Sequence, residues 1–449
     1  MIDLIRENPK LVKENLKKRN MDPKILDTAL DLDEQWRKHK GESDELRAKR
    51  NKLSAEINEL KKAGKDASKV IKEASAVPQR LKELDEHMKQ LEQKLHAAMC
   101  SLPNILHDSV PAGKDSAENK VVKEFGKHPK FTFTPKNHVE LLEQHNLADF
   151  ERATKISGAR WYFLKDELAV LNMAIQRYAA DFMRERGYTF MIPPYFINRK
   201  AYEGVTSLDE FADVLYKVEG EDLFAIATSE HPLTAAFSGE VFADTKLPLR
   251  LVSVSPCFRK EAGAHGIDQK GIFRIHQFDK VEQIIISTPE QSWTMHEELA
   301  KNAIDFWKTL DIPFRQIALC AGDTGKVAAK TYDLEAWFPA GKQYREIVSC
   351  SNVTTWQSQR LGIKCETNPG VNRRLAHTLN STCVAVQRCI AAILENNQQE
   401  DGTIDVPKVL QKYTGFKVIG KPARASASTG QPNRSSALPA KTEKPAKKK

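Results

Sequence analysis

Two stretches within the first hundred residues repeat apolar side chains in alternating steps of three and four. The first carries Leu32, Trp36, His39, Ser43, Leu46, Arg50, Leu53, Ile57 and Leu60, with polar residues interrupting its middle. The second is cleaner: Val77, Leu81, Leu84, Met88, Leu91, Leu95 and Ala98. Such a repeat keeps one stripe of a helix facing a partner, and the polar stretch Gly64-Lys65-Asp66 lies between the two. The pattern therefore predicts an antiparallel helical hairpin, a rod about 45 Å long for some thirty residues at 1.5 Å each. Pro78 suits the first turn of a helix better than an interior, which places the start of the second helix, or a kink in it, near Ser75. Ahead of the hairpin, Met1 to Pro23 reads as a short helix and turn.

Past Ser101-Leu102-Pro103-Asn104 the pattern changes. Leu168 to Arg186 has helical periodicity and ends at Gly187, leading into a strand, Tyr188 to Ile192, stopped by Pro193-Pro194. Extended, β-rich runs follow at Phe224 to Ala227, Leu249 to Val254, Phe273 to Phe278, Gln283 to Ser287 and Phe314 to Leu319. Ala385 to Leu394 is an apolar helix interrupted by Arg388. Mixed elements with helices at both ends predict an α+β domain on a mainly antiparallel sheet. The expected organisation is a helical segment over 1–104, a linker over 105–130, the α+β domain over 131–420 and a tail over 421–449. The tail is rich in Ala, Ser, Pro and Lys and has too little to bury to fold.

At 449 residues, 41% of them hydrophobic, the chain can fill more than one core. It has no apolar run near the roughly 20 residues a membrane span needs, and Asp3, Arg6 and Glu7 interrupt any secretion signal, so a cytoplasmic protein is expected. Seven dispersed cysteines without zinc-like spacing are expected to be reduced thiols, with no zinc site. The net charge of +9 falls mostly in the tail, where eight basic residues face Glu443 alone. A second excess, nine basic residues against three acidic ones, runs from Arg47 to Lys72 in the far half of the hairpin. That half can meet phosphates or be a solvated charged surface.

Chemistry concentrates in four places. Phe258-Arg259-Lys260-Glu261 and the stretch from Phe273 to Glu282 flank a loop, Ala262 to Gly271, and suggest a hairpin with alternating arginines and carboxylates. Arginine suits a nucleotide there, because its planar fork donates two bonds to phosphate and its charge does not titrate away. Thr228-Ser229-Glu230 follows an apolar strand. Glu346-Ile347-Val348-Ser349 brings carboxylate and hydroxyl oxygens together, hard donors suited to magnesium. Leu379-Asn380-Ser381-Thr382 precedes the helix holding Arg388, which needs a buried anion or must snorkel. No P-loop or Rossmann fingerprint is present.

From the N-terminus to about residue 418, these features resemble the seryl-tRNA synthetases, the common zinc-independent form of a class II family. The segment ending at Pro193 or Pro194 resembles the dimer-forming first class motif. Phe258 to Glu261 with its loop resembles the second, and Asn380 to Arg388 the third. The resemblance implies activation of serine with ATP to seryl-adenylate, then transfer to the 3′ end of serine tRNA, and of selenocysteine tRNA where present, by a homodimer. It implies that Arg259 and Arg388 grip the ATP phosphates, that Glu261, the loop and Ile275 hold adenine, and that Phe278 stacks on it. Lys260, Ile347 and Val348 complete the nucleotide site, Glu346 and Ser349 hold Mg²⁺, and Arg259, Arg388 and Glu261 carry the catalysis. Serine is placed among Thr228, Ser229, Glu230, Arg259, Glu282, Asn380 and Thr382, with Glu282 and Thr382 nearest its hydroxyl. The hairpin becomes an arm for the long variable arm of the tRNA, with Arg47, Lys49, Arg50, Lys52, Lys61, Lys62 and Lys65 as contacts. One departure is Gln357-Ser358-Gln359-Arg360, with glutamine where the family often has the first of two arginines. Two alternatives stand beside this reading. An amino acid:carrier-protein ligase would lack the arm, and a catalytically silent RNA-binding paralogue would lack the set Arg259, Glu261, Glu282, Glu346 and Arg388.

Overall fold

The computed structural model describes residues 2–207, 213–261 and 270–421. Most of the Ala262 to Gly271 loop and nearly all of the basic tail lie outside them. Two short helices, α1 (Ile2–Glu7) and α2 (Pro9–Lys18), lead into the long helices α3 (Lys24–Lys62) and α4 (Ser68–Ser101). These form the antiparallel hairpin. Leu53, Val77 and Leu81 are buried along the seam, with Leu46, Val70 and Ala74 packed beside them. Gly64 takes φ +67°, which lets α3 end and the chain reverse.

The hairpin differs from the sequence expectation in one respect. α4 begins ten residues before Pro78, which sits inside the helix. Pro78 is exposed, so water can satisfy the carbonyl that its missing N–H leaves unbonded.

The base of the hairpin has its own core of Ile5, Val12, Leu16, Leu26, Ala29 and Leu102. It docks on the rest of the chain through side chains that cap backbone carbonyls. Arg19 donates to the oxygens of Thr324 (2.8 Å) and Ala328 (2.6 Å). Asn104 donates to Val353 O at 2.6 Å. Arg360 lies over the Trp356 ring and donates to Met99 O at 3.4 Å, tying the C-terminal part of the chain to the end of α4.

The remainder is built on an eight-stranded sheet. Its strands in chain order are β1 (Lys120–Phe125), β2 (Thr189–Met191), β3 (Leu249–Phe258), β4 (Gln277–Ser287), β5 (Phe314–Ala318), β6 (Lys330–Phe338), β7 (Gln343–Thr354) and β8 (His377–Ala385). Their spatial order is β1-β5-β6-β7-β8-β4-β3-β2. Every neighbouring pair is antiparallel except β2 and β3. The α+β expectation stands. Phe273 to His276 is not a strand, however, because β4 starts only at Gln277, where pairing with Phe258 begins.

Helices α5 (Asp166–Arg184), α7 (Ser292–Thr309) and α9 (Val386–Asn396) supply much of the main core, with α6 (Glu230–Ala235) and α8 (Trp356–Leu361) shorter. Alternation along the strands divides their labour. Gln283 and Cys350 turn toward α7, bonding Leu299 and His296, while Glu282, Ser349 and Ser351 turn the other way. That opposite face holds the site.

Candidate active site

A cavity of about 480 Å³ opens on the central strands. Its walls include Thr228, Glu230, Arg259, Glu261, Ile275, Phe278, Glu282, Glu346, Ile347, Val348, Ser349, Asn380, Thr382 and Arg388. Residues read from segments up to 160 positions apart thus meet in one place. Two expected residues do not line it. Along an extended segment successive side chains point to opposite sides, so Lys260 turns away between Arg259 and Glu261, its ammonium 5.7 Å from the Tyr216 ring. Ser229 is fully buried between Thr228 and Glu230 and is absent from the cavity wall.

One group of lining residues is acidic and hydroxyl-bearing. Glu282 is 1% exposed, and its Oε2 accepts from Thr382 Oγ1 at 3.2 Å and from Lys280 Nζ at 2.8 Å. Lys280 and Glu282 are two apart on β4 and share a face, while Thr382 is the cross-strand partner of Glu282 on β8. Glu230 begins α6 nearby. Burial, with Glu282 adding its charge, pushes the Glu230 carboxyl up to about 7. The Gln357 amide donates to Glu230 Oε1 at 2.8 Å.

A second group is cationic and aromatic, with Arg259 near enough to act on both Glu230 and Glu346. Arg388 sits at the start of α9, so it needs no snorkel: its Nη1 lies 3.1 Å from Glu346 Oε1 and 3.0 Å from Glu346 O. That guanidinium holds Glu346 below the ordinary carboxylate range. Arg259 Nε donates to Ala227 O at 3.3 Å, and its guanidinium carbon lies 5.2 Å from the Phe278 ring centroid. Glu261 accepts from Arg274 at 3.0 Å. Phe273 has Arg345 and Arg388 over its ring, at 3.3 and 4.8 Å.

A backbone irregularity makes the Glu346 and Ser349 pair possible. In a regular strand, residues three apart point to opposite faces. Here β6 and β7 pair Leu334 with Val348 but Glu335 with Glu346, leaving Ile347 without an opposite residue. The bulge turns Glu346 back, so that it and Ser349 both line the cavity. Across from Ser349 stands Asp333, which accepts from the Ser349 hydroxyl and which burial, with Glu346 beside it, raises well above its ordinary range. Among the described residues, no group of three or more His, Cys, Asp or Glu side chains could hold a metal ion.

Lys280 and Asp333 were not singled out from sequence, and Gln357 was named only within the departure Gln357-Ser358-Gln359-Arg360, with no part in the cavity. Lys280 and Glu282 could have been found together, since a lysine and a glutamate two apart on a strand share a face. Asp333 and Gln357 gain meaning only from partners on other elements. None of the seven cysteines is in a disulfide. Among the described residues, no helix is long and apolar enough to cross a membrane. On the hairpin, Arg47 pairs with Asp85 (3.2 Å) and Lys49 with Glu73 (2.6 Å), bracing α3 against α4. Arg50, Lys52, Lys61, Lys62 and Lys65 are exposed.

Comparison with known proteins agrees with this geometry. Residues 1–106 match the seryl-tRNA synthetase N-terminal domain, and residues 216–397 match the class II core domain of the synthetases for G, H, P, S and T. A serine–tRNA ligase of Methanospirillum hungatei is 50% identical, covering 93% of this chain and 99% of the relative. Among solved structures, seryl-tRNA synthetase from Pyrococcus horikoshii complexed with ATP superposes with a TM-score of 0.89 at 45% identity, covering 94% of this chain and 100% of that one. The cytoplasmic serine–tRNA ligase of Naegleria fowleri in complex with AMP follows at 0.82 and 32% identity, covering 92% of this chain and 96% of that one. A long hairpin with a basic far half, docked on a mainly antiparallel sheet whose cavity brings two arginines together with buried carboxylates, is thus found where nearly the whole chain has such relatives, and the chain belongs to the seryl-tRNA synthetases, as a serine–tRNA ligase of class II architecture.

Proposed function

We propose that the cavity performs this ligation by holding serine among its carboxylates and ATP along its arginines. One observation carries the assignment: Glu230, Glu282 and Thr382 line the same cavity as Arg259 and Arg388, with Arg259 near enough to act on both Glu230 and Glu346. Glu230 takes the serine ammonium. Glu282 and Thr382 read its hydroxyl, with Glu282 Oε1 offered to the substrate because Oε2 already accepts from Thr382 and Lys280. Thr228 and Asn380 complete the pocket. Arg259 and Arg388 hold the phosphates, while Phe278, Ile275 and Glu261 hold adenine.

In the first step a serine carboxylate oxygen attacks the α-phosphorus, the bond to the β-phosphate oxygen breaks, and pyrophosphate leaves. In the second, the 3′-terminal ribose hydroxyl of the tRNA attacks the seryl carbonyl, losing its proton, and AMP departs. Neither step needs a protein nucleophile. Positioning and fixed positive charge lower both barriers. Glu346 and Ser349 fit Mg²⁺, since both offer hard oxygens to the cavity and this ion keeps several water and phosphate ligands besides. When bound, it neutralises phosphate charge.

The exposed basic residues of the arm take the tRNA backbone by shape and charge, which suits double-helical RNA. The same reading admits selenocysteine tRNA where one exists. The chain works as a homodimer in the cytoplasm. Exposed Met173 (71%) on α5 and Ile192 (68%) after β2 support the dimer, because large apolar side chains left in water on one helix–strand unit mark an association surface.

Pyrophosphate exchange measured with each standard amino acid tests the assignment. Serine should drive exchange far above the others and Arg259→Ala should abolish it. Equal exchange with alanine, or full activity in R259A, would overturn it.

A further inference from the structure

Gln357 lies on α8, behind the cavity wall rather than in it, and is 1% exposed. Its amide is fully engaged. Nε2 donates to Val205 O at 2.9 Å and to Glu230 Oε1 at 2.8 Å, and Oε1 accepts from Thr378 Oγ1 at 2.6 Å. A backbone carbonyl can only accept, so the contact with Val205 fixes which end of the amide carries nitrogen. Glu230 therefore meets a permanent N–H, and Thr378 locks the amide from its other side.

The surroundings make that N–H matter. Glu230 is opposed by Glu282 and burial and helped by Lys280 and Arg259, with His231 beside it on α6. Gln357 donates directly to Glu230 Oε1, a bond that holds the carboxylate against turning about its own axis.

We propose that Gln357 is a positioning residue for amino-acid recognition: by tethering one Glu230 oxygen it aims the other at the substrate ammonium, and so sets serine affinity without touching serine. The proposal rests on Glu230 as the ammonium site. It also accounts for α8, which contributes no cavity-lining residue, packing against α3-distant segments at Val205 and Thr378: the helix carries a rigid support, and a catalytic site is held to productive geometry by residues behind its contact layer.

The test is pyrophosphate exchange by the full chain with serine and ATP varied separately. Gln357→Met keeps length and removes the donor. Serine KM should rise at least about tenfold, as expected for a lost hydrogen bond to a charged group, with ATP KM and kcat within about threefold of the unmodified chain. In Gln357→Glu the new carboxyl can donate only while protonated, so its serine KM should exceed that of the unmodified chain more at pH 8 than at pH 6. A serine KM unchanged in Q357M, or serine KM, ATP KM and kcat worsening together, overturns the proposal. If Q357M does not fold, Thr378→Val, which unlocks the amide from its far side, decides the matter: a rise of about threefold or more in serine KM alone supports the tether, and no rise overturns it. An unmodified chain inactive with serine would instead overturn the assignment of the whole site, and this tether with it.

Discussion

Glu230 must be ionised to hold an ammonium, yet the fold raises its carboxyl to about 7. The sign follows directly. Below that pH the empty site holds a neutral acid, and serine binding must first expel a proton; above it the carboxylate is ready. Serine KM should therefore fall about tenfold between pH 6 and pH 8, the change in ionised fraction for a group titrating at 7, and Glu230→Gln should have a high, pH-flat serine KM in the same assay. Where the phosphates are proposed to sit, Arg388 differs in kind, since a guanidinium is a fixed fork of donors and this one faces Glu346. Arg388→Ala should lower kcat/KM for ATP by about 10²-fold or more, the usual loss when a fixed donor to developing charge is removed, with Arg388→Lys between. Initial rates against ATP decide this. The sequence marked both arginines, Arg259 in a stretch of alternating arginines and carboxylates and Arg388 in an apolar helix, and both line the cavity; a grip on the ATP phosphates by the two together was implied only by the resemblance. Asp333 was not marked, because its neighbours Ser349 and Glu346 come beside it only through strand pairing, whereas Lys280 and Glu282, two apart on one strand, could have been found together.

At the scale of elements, periodicity was a good guide wherever one face of a helix alone decided the pattern. The seams of α3 and α4 were visible for that reason, and the buried trio Leu53, Val77 and Leu81 came from both. Pro78 misled because a proline's cost depends on which side of the helix it occupies, and its exposure was not written in the seam. Strands β6 and β7 were also missed as a pair. Their cavity-facing positions are polar, Thr331, Asp333, Ser349 and Ser351, which blurs the apolar alternation that marks a half-buried strand. The bulge at Ile347 could not be read at all, since it is a property of the pairing. The arm's own cross-strut, Arg47 to Asp85, suggests where to cut it. Replacing residues 47–85 by a short Gly-Ser turn removes the basic far half and leaves Arg6, Asp33 and the docked base intact. Exchange should stay within about twofold, while tRNA charging at physiological salt should fall by 10²-fold or more, the scale on which several phosphate contacts act. Equal losses in both assays would show that the arm supports folding of the site rather than the RNA.

At the scale of the whole molecule, the question is how a site assembled from 228 to 388 is coupled to an arm built from the first hundred residues. Arg19, Asn104 and Arg360 join the two by bonding backbone carbonyls on both sides, so the arm's base is fixed against the loops that flank the cavity entrance at Gly325 to Ala328. That junction orients the arm on its own chain, and the sheet's opposite edge is the one proposed above for association. There, among the described residues, β2 pairs with β3 alone, and α5 packs beside it with Val170 and Met173 exposed. An edge strand with apolar neighbours invites pairing by another chain. If that chain is a second copy, light scattering should give twice the 50.7 kDa chain mass. Met173→Glu puts a charge where association would desolvate it, which is costly without a partner. The variant should therefore run as a single chain while retaining the melting temperature of its own hairpin. Because each arm is fixed on its own base, the outcome also bears on the reaction: charging that survives in the monomer means that one chain holds both the tRNA arm and the 3′ end, whereas charging lost with exchange intact means that the arm of one copy serves the cavity of the other.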